Sequence, residues 1–328
     1  MTDRFKAMIV EEQPEKKFTR RIGNRAISDL PENPLLIKVQ YSSLNYKDAL
    51  SATGNRGVTR NFPHTPGIDA AGEVVNDTSG TFKPGDQVVV TGWDLGMNTA
   101  GGYGEYIRIP AEWAITLPDG LSLRDSMILG TAGFTAGLSV QALTGRISPE
   151  AGEILVTGAT GGVGSVAVAL LARAGYRVVA VTGKADQADF LKGLGAGEVV
   201  AREAIMENAD RPMMKERWAG AVDVVGGEML AAILKSTSYG GTVTCCGLVG
   251  STELPVNVFP FILRGVSLLG IDSVQCPKKL RQEVWDKLAG EWKIDLEALV
   301  KEVALEDLED SIQAILKGEL RGRVLVKL

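Results

Sequence analysis

Glu153-Ile154-Leu155-Val156-Thr157 runs straight into Gly158-Ala159-Thr160-Gly161-Gly162-Val163-Gly164, and an alanine- and valine-rich stretch follows at once. The short branched run predicts a buried strand, and the small apolar residues after the glycines predict a helix. Glycines at such a turn let the backbone approach a pyrophosphate, whose charge then meets the unsatisfied N–H groups of the helix start. Ala159 stands where the usual G-x-G-x-x-G pattern has its first glycine, while Gly161 and Gly164 hold the other two positions. A glycine pattern alone is a weak signal. Here a second strand, at 177–182, follows where a βαβ unit needs it. The segment therefore reads as a dinucleotide site formed by Thr160, Gly161, Gly162, Val163 and Gly164.

The alternation continues outward. Strands are expected at 198–201, 221–225, 241–247 and 267–271, with helices at 163–174 and 185–194. Continuous Val/Ile/Leu strands of this kind belong to a parallel sheet covered by helices on both faces. Upstream, 122–143 reads as a helix whose Ala132, Gly133, Ala136 and Gly137 permit close packing. Before it come short strands at 35–41, 72–75 and 86–90, and another after Gly101-Gly102, which suggest a mostly antiparallel partial barrel. Helices at 278–288 and 305–317 and a strand at 323–327 close the chain. The fold class is α/β, with a doubly wound parallel sheet inserted in a mostly β domain. The expected domains are 1–124, 125–274 and a return to the first over 275–328.

Composition narrows the function. With 328 residues, about 150 per domain gives two domains. Hydrophobic residues at 45% and charged residues at 23% exclude a disordered or fibrous chain. The net charge of −5 comes without an acidic or basic tail, so no nucleic acid and no membrane is expected as a partner. Three cysteines and one histidine show no metal-ligand spacing, and adjacent Cys245 and Cys246 on a strand would face opposite ways. His64, in a proline-rich loop, reads as a solvated side chain. The apolar window near 166–181 is interrupted by Arg173, Gly175 and Arg177, so no membrane span is expected. The N-terminus lacks the apolar core of a signal peptide, and a cytoplasmic protein is expected.

The end of the second strand bears on which dinucleotide binds. An NAD site usually places an acid there to accept the ribose 2′-OH. Here the strand ends in Thr182-Gly183-Lys184 with no acid, and Arg202 follows the third strand. A neutral hydroxyl and two cations suit the 2′-phosphate of NADPH, although Lys184 also reads as a solvated lysine at a helix start.

Further segments carry a resemblance. Ser43-Leu44-Asn45-Tyr46-Lys47-Asp48, Phe62-Pro63 with Pro66-Gly67-Ile68-Asp69 and Gly72, and Gly130-Thr131-Ala132-Gly133-Phe134-Thr135-Ala136 are similar to the medium-chain dehydrogenase/reductase superfamily, quinone oxidoreductase branch. Together with Thr91-Gly92-Trp93 and Pro260-Phe261-Ile262-Leu263-Arg264, the first of these resembles the acryloyl-CoA reductase (NADPH) group. The resemblance spans essentially the whole chain. It implies a GroES-like catalytic domain interrupted by a Rossmann domain, with NADPH as cofactor, an acyl-CoA as substrate and a homodimeric assembly. It also implies cofactor contacts at Tyr46, Leu248, Ile262, Ser273, Arg321 and Arg323.

The departures from the superfamily are informative. Zinc-dependent relatives carry a Cys in the first motif and Gly-His-Glu in the second, where this chain has Asn45 and Gly67-Ile68-Asp69. None of the tyrosines has a Lys four residues on, so the Tyr-x-x-x-Lys pair of short-chain dehydrogenases is also missing. Neither device for polarising a ketone is present. Reduction of a C=C bond conjugated to a carbonyl needs less, since hydrogen-bond donors stabilise the enolate that forms. Tyr46 and Asn45 are the candidate catalytic residues, and Asp69 reads as structural. Three functions stay open: a short-chain 2-enoyl-CoA reductase, a quinone or enone reductase, and a non-catalytic NADPH-binding protein.

Overall fold

The computed structural model describes residues 4–328. Its contacts divide the chain into two compact units. The first comprises the described residues up to Thr131, Val274–Gln282 and Leu299–Leu328, and the second Ala132–Ser273 and Glu283–Ala298. These limits differ from the expected 1–124, 125–274 and 275–328. Glu283–Ala298 groups with the second unit because Trp285 stacks on Phe134, with ring centroids 6.2 Å apart, and Val284 fills the space beside Gly137.

The first unit opens with an antiparallel hairpin of β1 (Arg4–Gln13) and β2 (Lys17–Ala26). It continues with β3 (Leu35–Leu44), α1 (Tyr46–Ala52), β4 (Asp69–Asp77), β5 (Gln87–Thr91), β6 (Tyr106–Ile109) and β7 (Ala114–Thr116). Alternation along these strands sends Leu35, Ile37, Val74, Val88, Val90, Ile107 and Ile109 into one core. Next comes α2 (Leu123–Thr144), broken at Gly130.

The second unit holds β8 (Glu153–Val156), α3 (Gly162–Arg173), β9 (Arg177–Thr182), α4 (Ala188–Gly193), β10 (Glu198–Ala201), α5 (Arg202–Met206), β11 (Trp218–Asp223), α6 (Gly227–Ser236), β12 (Thr237–Cys245), α7 (Phe259–Arg264) and β13 (Ser267–Gly270). Its sheet is wholly parallel, in the order β10-β9-β8-β11-β12-β13. The near-complete burial of β8, β9 and β11 explains their continuous apolar runs. After α8 (Lys278–Ala289), β14 (Val300–Ala304), α9 (Leu308–Leu316) and β15 (Arg323–Lys327) belong to the first unit. Its seven-stranded sheet runs β14-β15-β3-β4-β5-β7, with β6 also paired to β3.

Among the described residues α2, rather than the window near 166–181, is the helix long and apolar enough to cross a membrane. Its most apolar window is 78% buried within the protein, the position of a core helix.

Candidate functional site

All six parallel strands of the second unit end along one edge, and the strand order reverses between β8 and β11, where such sheets take ligands. The glycine turn lies at that edge. Gly158 has φ +53°, and a Cβ on Gly164 would fall 2.3 Å from the Gly158 carbonyl oxygen, so the close turn requires glycine there. At the start of α3 no side chain caps the first N–H groups and no acid lies in the first turn. A phosphate fits such a terminus.

Parallel pairing places Ala201 beside Thr182, so the exits of β9 and β10 are neighbours. The Thr182 hydroxyl accepts the Lys184 N–H at 3.0 Å and shapes the turn. Arg202 lies over Gly183, where a Cβ would be 3.1 Å from its Cζ and Nε atoms. Arg202 thus borders Gly183, and Lys184 follows in sequence, a pair of cations that fits a 2′-phosphate. Farther along the edge an open cleft of ≈470 Å³ is lined by Cys245, Cys246, Gly247, Leu248, Gly270, Ile271 and Asp272. Ser273 follows it and hydrogen-bonds through its hydroxyl to Thr135 at 2.9 Å. Leu248 is 65% exposed, and Ile262, on α7, 71%. Cys246 donates its thiol to the Asp223 carbonyl, and burial beside Asp223 pushes its pKa up to about 12. Cys245 packs against the core of the unit, and its thiol is raised as well.

In the first unit the chain builds a buried polar network. Asn45 caps α1, and the Asp48 carboxylate accepts its N–H at 2.8 Å, its side-chain amide at 3.1 Å and the Ile68 N–H at 2.8 Å. Asp69 accepts the Ser43 hydroxyl at 2.5 Å, the Asn45 amide at 2.8 Å, and the N–H and hydroxyl of Thr131 at 2.9 and 2.5 Å. Arg323 closes the group, donating to Ser43 Oγ at 3.0 Å, Ile128 O at 2.9 Å, Leu44 O at 3.3 Å and Asn45 Oδ1 at 3.4 Å. The Tyr103 hydroxyl donates to Ser43 O at 3.1 Å. Burial, helped by Asp69, lifts the Asp48 carboxyl to about 7. Burial also lowers the Arg323 pKa, against the opposing pull of Asp69 and Asp48.

The structure thus brings Thr160, Gly161, Gly162, Val163, Gly164, Thr182, Gly183, Lys184, Arg202, Leu248 and Ser273 to the carboxyl edge of one sheet. Three expectations change. Asn45 spends its amide hydrogens on Asp69 and Asp48, which makes it a positioning group rather than a donor to substrate. Arg323 is buried with its guanidinium committed to the network, so of the C-terminal pair only Arg321 is exposed. His64 is buried, not solvated, and bonds the Gly96 carbonyl at 2.9 Å. Tyr46, the first residue of α1, is 45% exposed. Sequence reasoning missed Asp48 and Arg323 as network members, because a buried charge and a solvated one look alike in sequence. The signal for Asp48 was its place three residues after Asn45, the spacing of a reciprocal helix cap.

Residues 31–119 match the alcohol dehydrogenase GroES-like domain and residues 162–290 the zinc-binding dehydrogenase domain. The chain is 46% identical to acrylyl-CoA reductase AcuI of Ruegeria pomeroyi over 325 residues, covering 98% of each. It is 45% identical to YhfP of Bacillus subtilis, named as a quinone oxidoreductase, over the full length of both. A crystal structure of YhfP with NAD bound superposes with a TM-score of 0.96, covering 99% of each chain. The yhdH oxidoreductase of Salmonella enterica in complex with NADP is 44% identical, with a TM-score of 0.95 over 98% of this chain and 99% of that one.

Proposed function

The chain belongs to the medium-chain dehydrogenase/reductase superfamily, in its zinc-free branch, and from that membership we propose that it is an NADPH-dependent reductase of the C=C bond of a short 2-enoyl-CoA, converting acryloyl-CoA to propanoyl-CoA. The observation that supports the cofactor is the Arg202 guanidinium over Gly183, with Lys184 next in sequence. The turn from Thr160 to Gly164 would hold the pyrophosphate, with Leu248, Ile262, Ser273 and Arg321 as further contacts. The likeness to an acrylyl-CoA reductase along essentially the whole chain supports the substrate.

When bound, NADPH supplies a hydride to the β-carbon of the substrate. The protein's own part is to accommodate the charge that then spreads onto the thioester oxygen, and a fixed donor does this best. The Tyr46 phenol is the exposed polar group at the start of α1, and it is assigned as that donor. Asp48 and Asp69 fix Asn45, and Asn45 fixes the first turn of α1, which sets the backbone from which Tyr46 projects. The CoA portion gives a remote handle whose binding energy aligns the reacting carbon.

Labelling tests the reading: deuteride from labelled NADPH appears at the β-carbon of propanoyl-CoA and a solvent proton at the α-carbon. Label at the carbonyl carbon, giving an alcohol, would overturn it. A quinone or enone reductase is the second reading, favoured by the name of the Bacillus relative. The proposal includes a cytoplasmic location and a homodimer, for which the exposed Val258, Phe259 and Leu263 near the edge strand β13 offer an apolar face.

A further inference from the structure

The carboxylate of Asp223 ends β11 beside β8, and it is fully buried. Its Oδ1 accepts the Thr157 hydroxyl at 2.8 Å and its Oδ2 the Gly226 N–H at 2.7 Å. Thr157 Oγ1 in turn accepts the Val224 N–H at 3.0 Å. The Asp223 carbonyl takes the Cys246 N–H at 3.1 Å. Just beyond, the Gly250 N–H bonds Val225 O at 2.8 Å, Gly226 bridges to Ser251, and a Cβ on Gly247 would meet Val224 O at 2.0 Å. One residue therefore ties together three strand exits. Thr157 opens the glycine turn, and the segment from Cys246 to Ser251 carries Leu248.

Burying a carboxylate among neutral hydroxyl and N–H donors costs desolvation. Burial accordingly pushes its pKa up, against the hydrogen bonds that lower it. Its place is the ligand edge of the sheet, not the sheet's middle. We propose that Asp223 is a positioning residue for the dinucleotide, holding the glycine turn and the Leu248 loop in the relative geometry that the two ends of the cofactor require. The inference rests on the dinucleotide reading above.

Fluorescence titration of NADPH and NADH into wild type, Asp223→Asn, Thr157→Val, their double variant and Thr157→Ser tests it, with melting temperatures of the cofactor-free proteins alongside. Asp223→Asn and Thr157→Val each weaken both dinucleotides by about tenfold, leaving the NADPH/NADH ratio unchanged. The double variant is little worse than either single one, because both remove the same link. Thr157→Ser, which keeps the hydroxyl, binds like wild type, and Asp223→Asn melts no lower than wild type. Unchanged affinity in both single variants overturns the proposal. So does a loss that merely tracks a fall in melting temperature. A wild type that binds neither dinucleotide overturns this inference and the functional reading together, whereas binding wild type with unaffected variants overturns this inference alone.

Discussion

Gly130→Ala perturbs the centre of the buried network without replacing any charged residue. The native backbone at Gly130 has φ 51° and ψ −156°, a conformation that only glycine adopts readily, and forcing alanine into it costs about 1–3 kcal/mol. The new Cβ would lie 2.6 Å from Asp69 Oδ2, 2.6 Å from Ser43 Oγ and 3.0 Å from Arg323 Nη2. None of these can yield cheaply. The Asp69 and Ser43 side chains are short and locked in hydrogen bonds, and Arg323 is committed on all sides. Separating Ser43 from Asp69 removes a charge-assisted hydrogen bond of about 1.5–3 kcal/mol. Together the two effects predict a loss of about 2.5–6 kcal/mol. For a unit of this size that is a fall in melting temperature of about 5–24 °C. Differential scanning calorimetry measures it, and activity falls in parallel because Tyr46 depends on the same network. A melting temperature within about 2 °C of wild type would refute the packing argument.

Other consequences are open to direct measurement. Lys184→Ala weakens NADPH binding roughly tenfold to a hundredfold through the loss of one charge-assisted contact, while NADH binding barely changes; equal losses for both would assign Lys184 to the fold instead. Because the Asp48 carboxyl is raised to about 7 in the folded state, the stability it contributes is full below pH 4 and is lost as the pH rises toward 7. The difference in unfolding free energy between wild type and Asp48→Asn should therefore change across that window and level off above it; a flat difference from pH 4 to 8 contradicts the shift. Among the described residues no cluster of three or more His, Cys, Asp or Glu is placed to hold a metal. Chelators should accordingly leave activity intact, and one tightly held zinc per chain, with activity lost on its removal, would show the reading to be wrong.

The sequence made the second unit legible because a doubly wound sheet writes itself locally. Buried strands appear as branched runs, such as Val178-Val179-Ala180-Val181, and the turn between β8 and α3 needs glycines that few other structures require. The first unit was harder. The hairpin of β1 and β2 went unread because β2 is nowhere fully buried and shows no apolar alternation across Arg20, Arg21, Asn24 and Arg25. The break in α2 was hidden among small residues that suit a helix interior equally well, since the carboxylate that Gly130 abuts, that of Asp69, lies far away in the chain. The same long-range partnership explains Arg323. A basic residue near the C-terminus resembles a phosphate contact until β15 is seen to pair with β3 and deliver the guanidinium to Ser43.

If the protein is an NADPH-dependent reductase of small enoyl thioesters, initial rates of NADPH oxidation across a substrate panel will show it. The panel holds acryloyl-CoA, crotonoyl-CoA, free acrylate and simple quinones. Acryloyl-CoA should give the highest kcat/KM. Crotonoyl-CoA should be far slower, since its extra methyl sits on the carbon that receives hydride, and free acrylate should be very poor for want of the CoA handle. Efficient turnover of quinones with none of acryloyl-CoA would make the protein a quinone reductase instead.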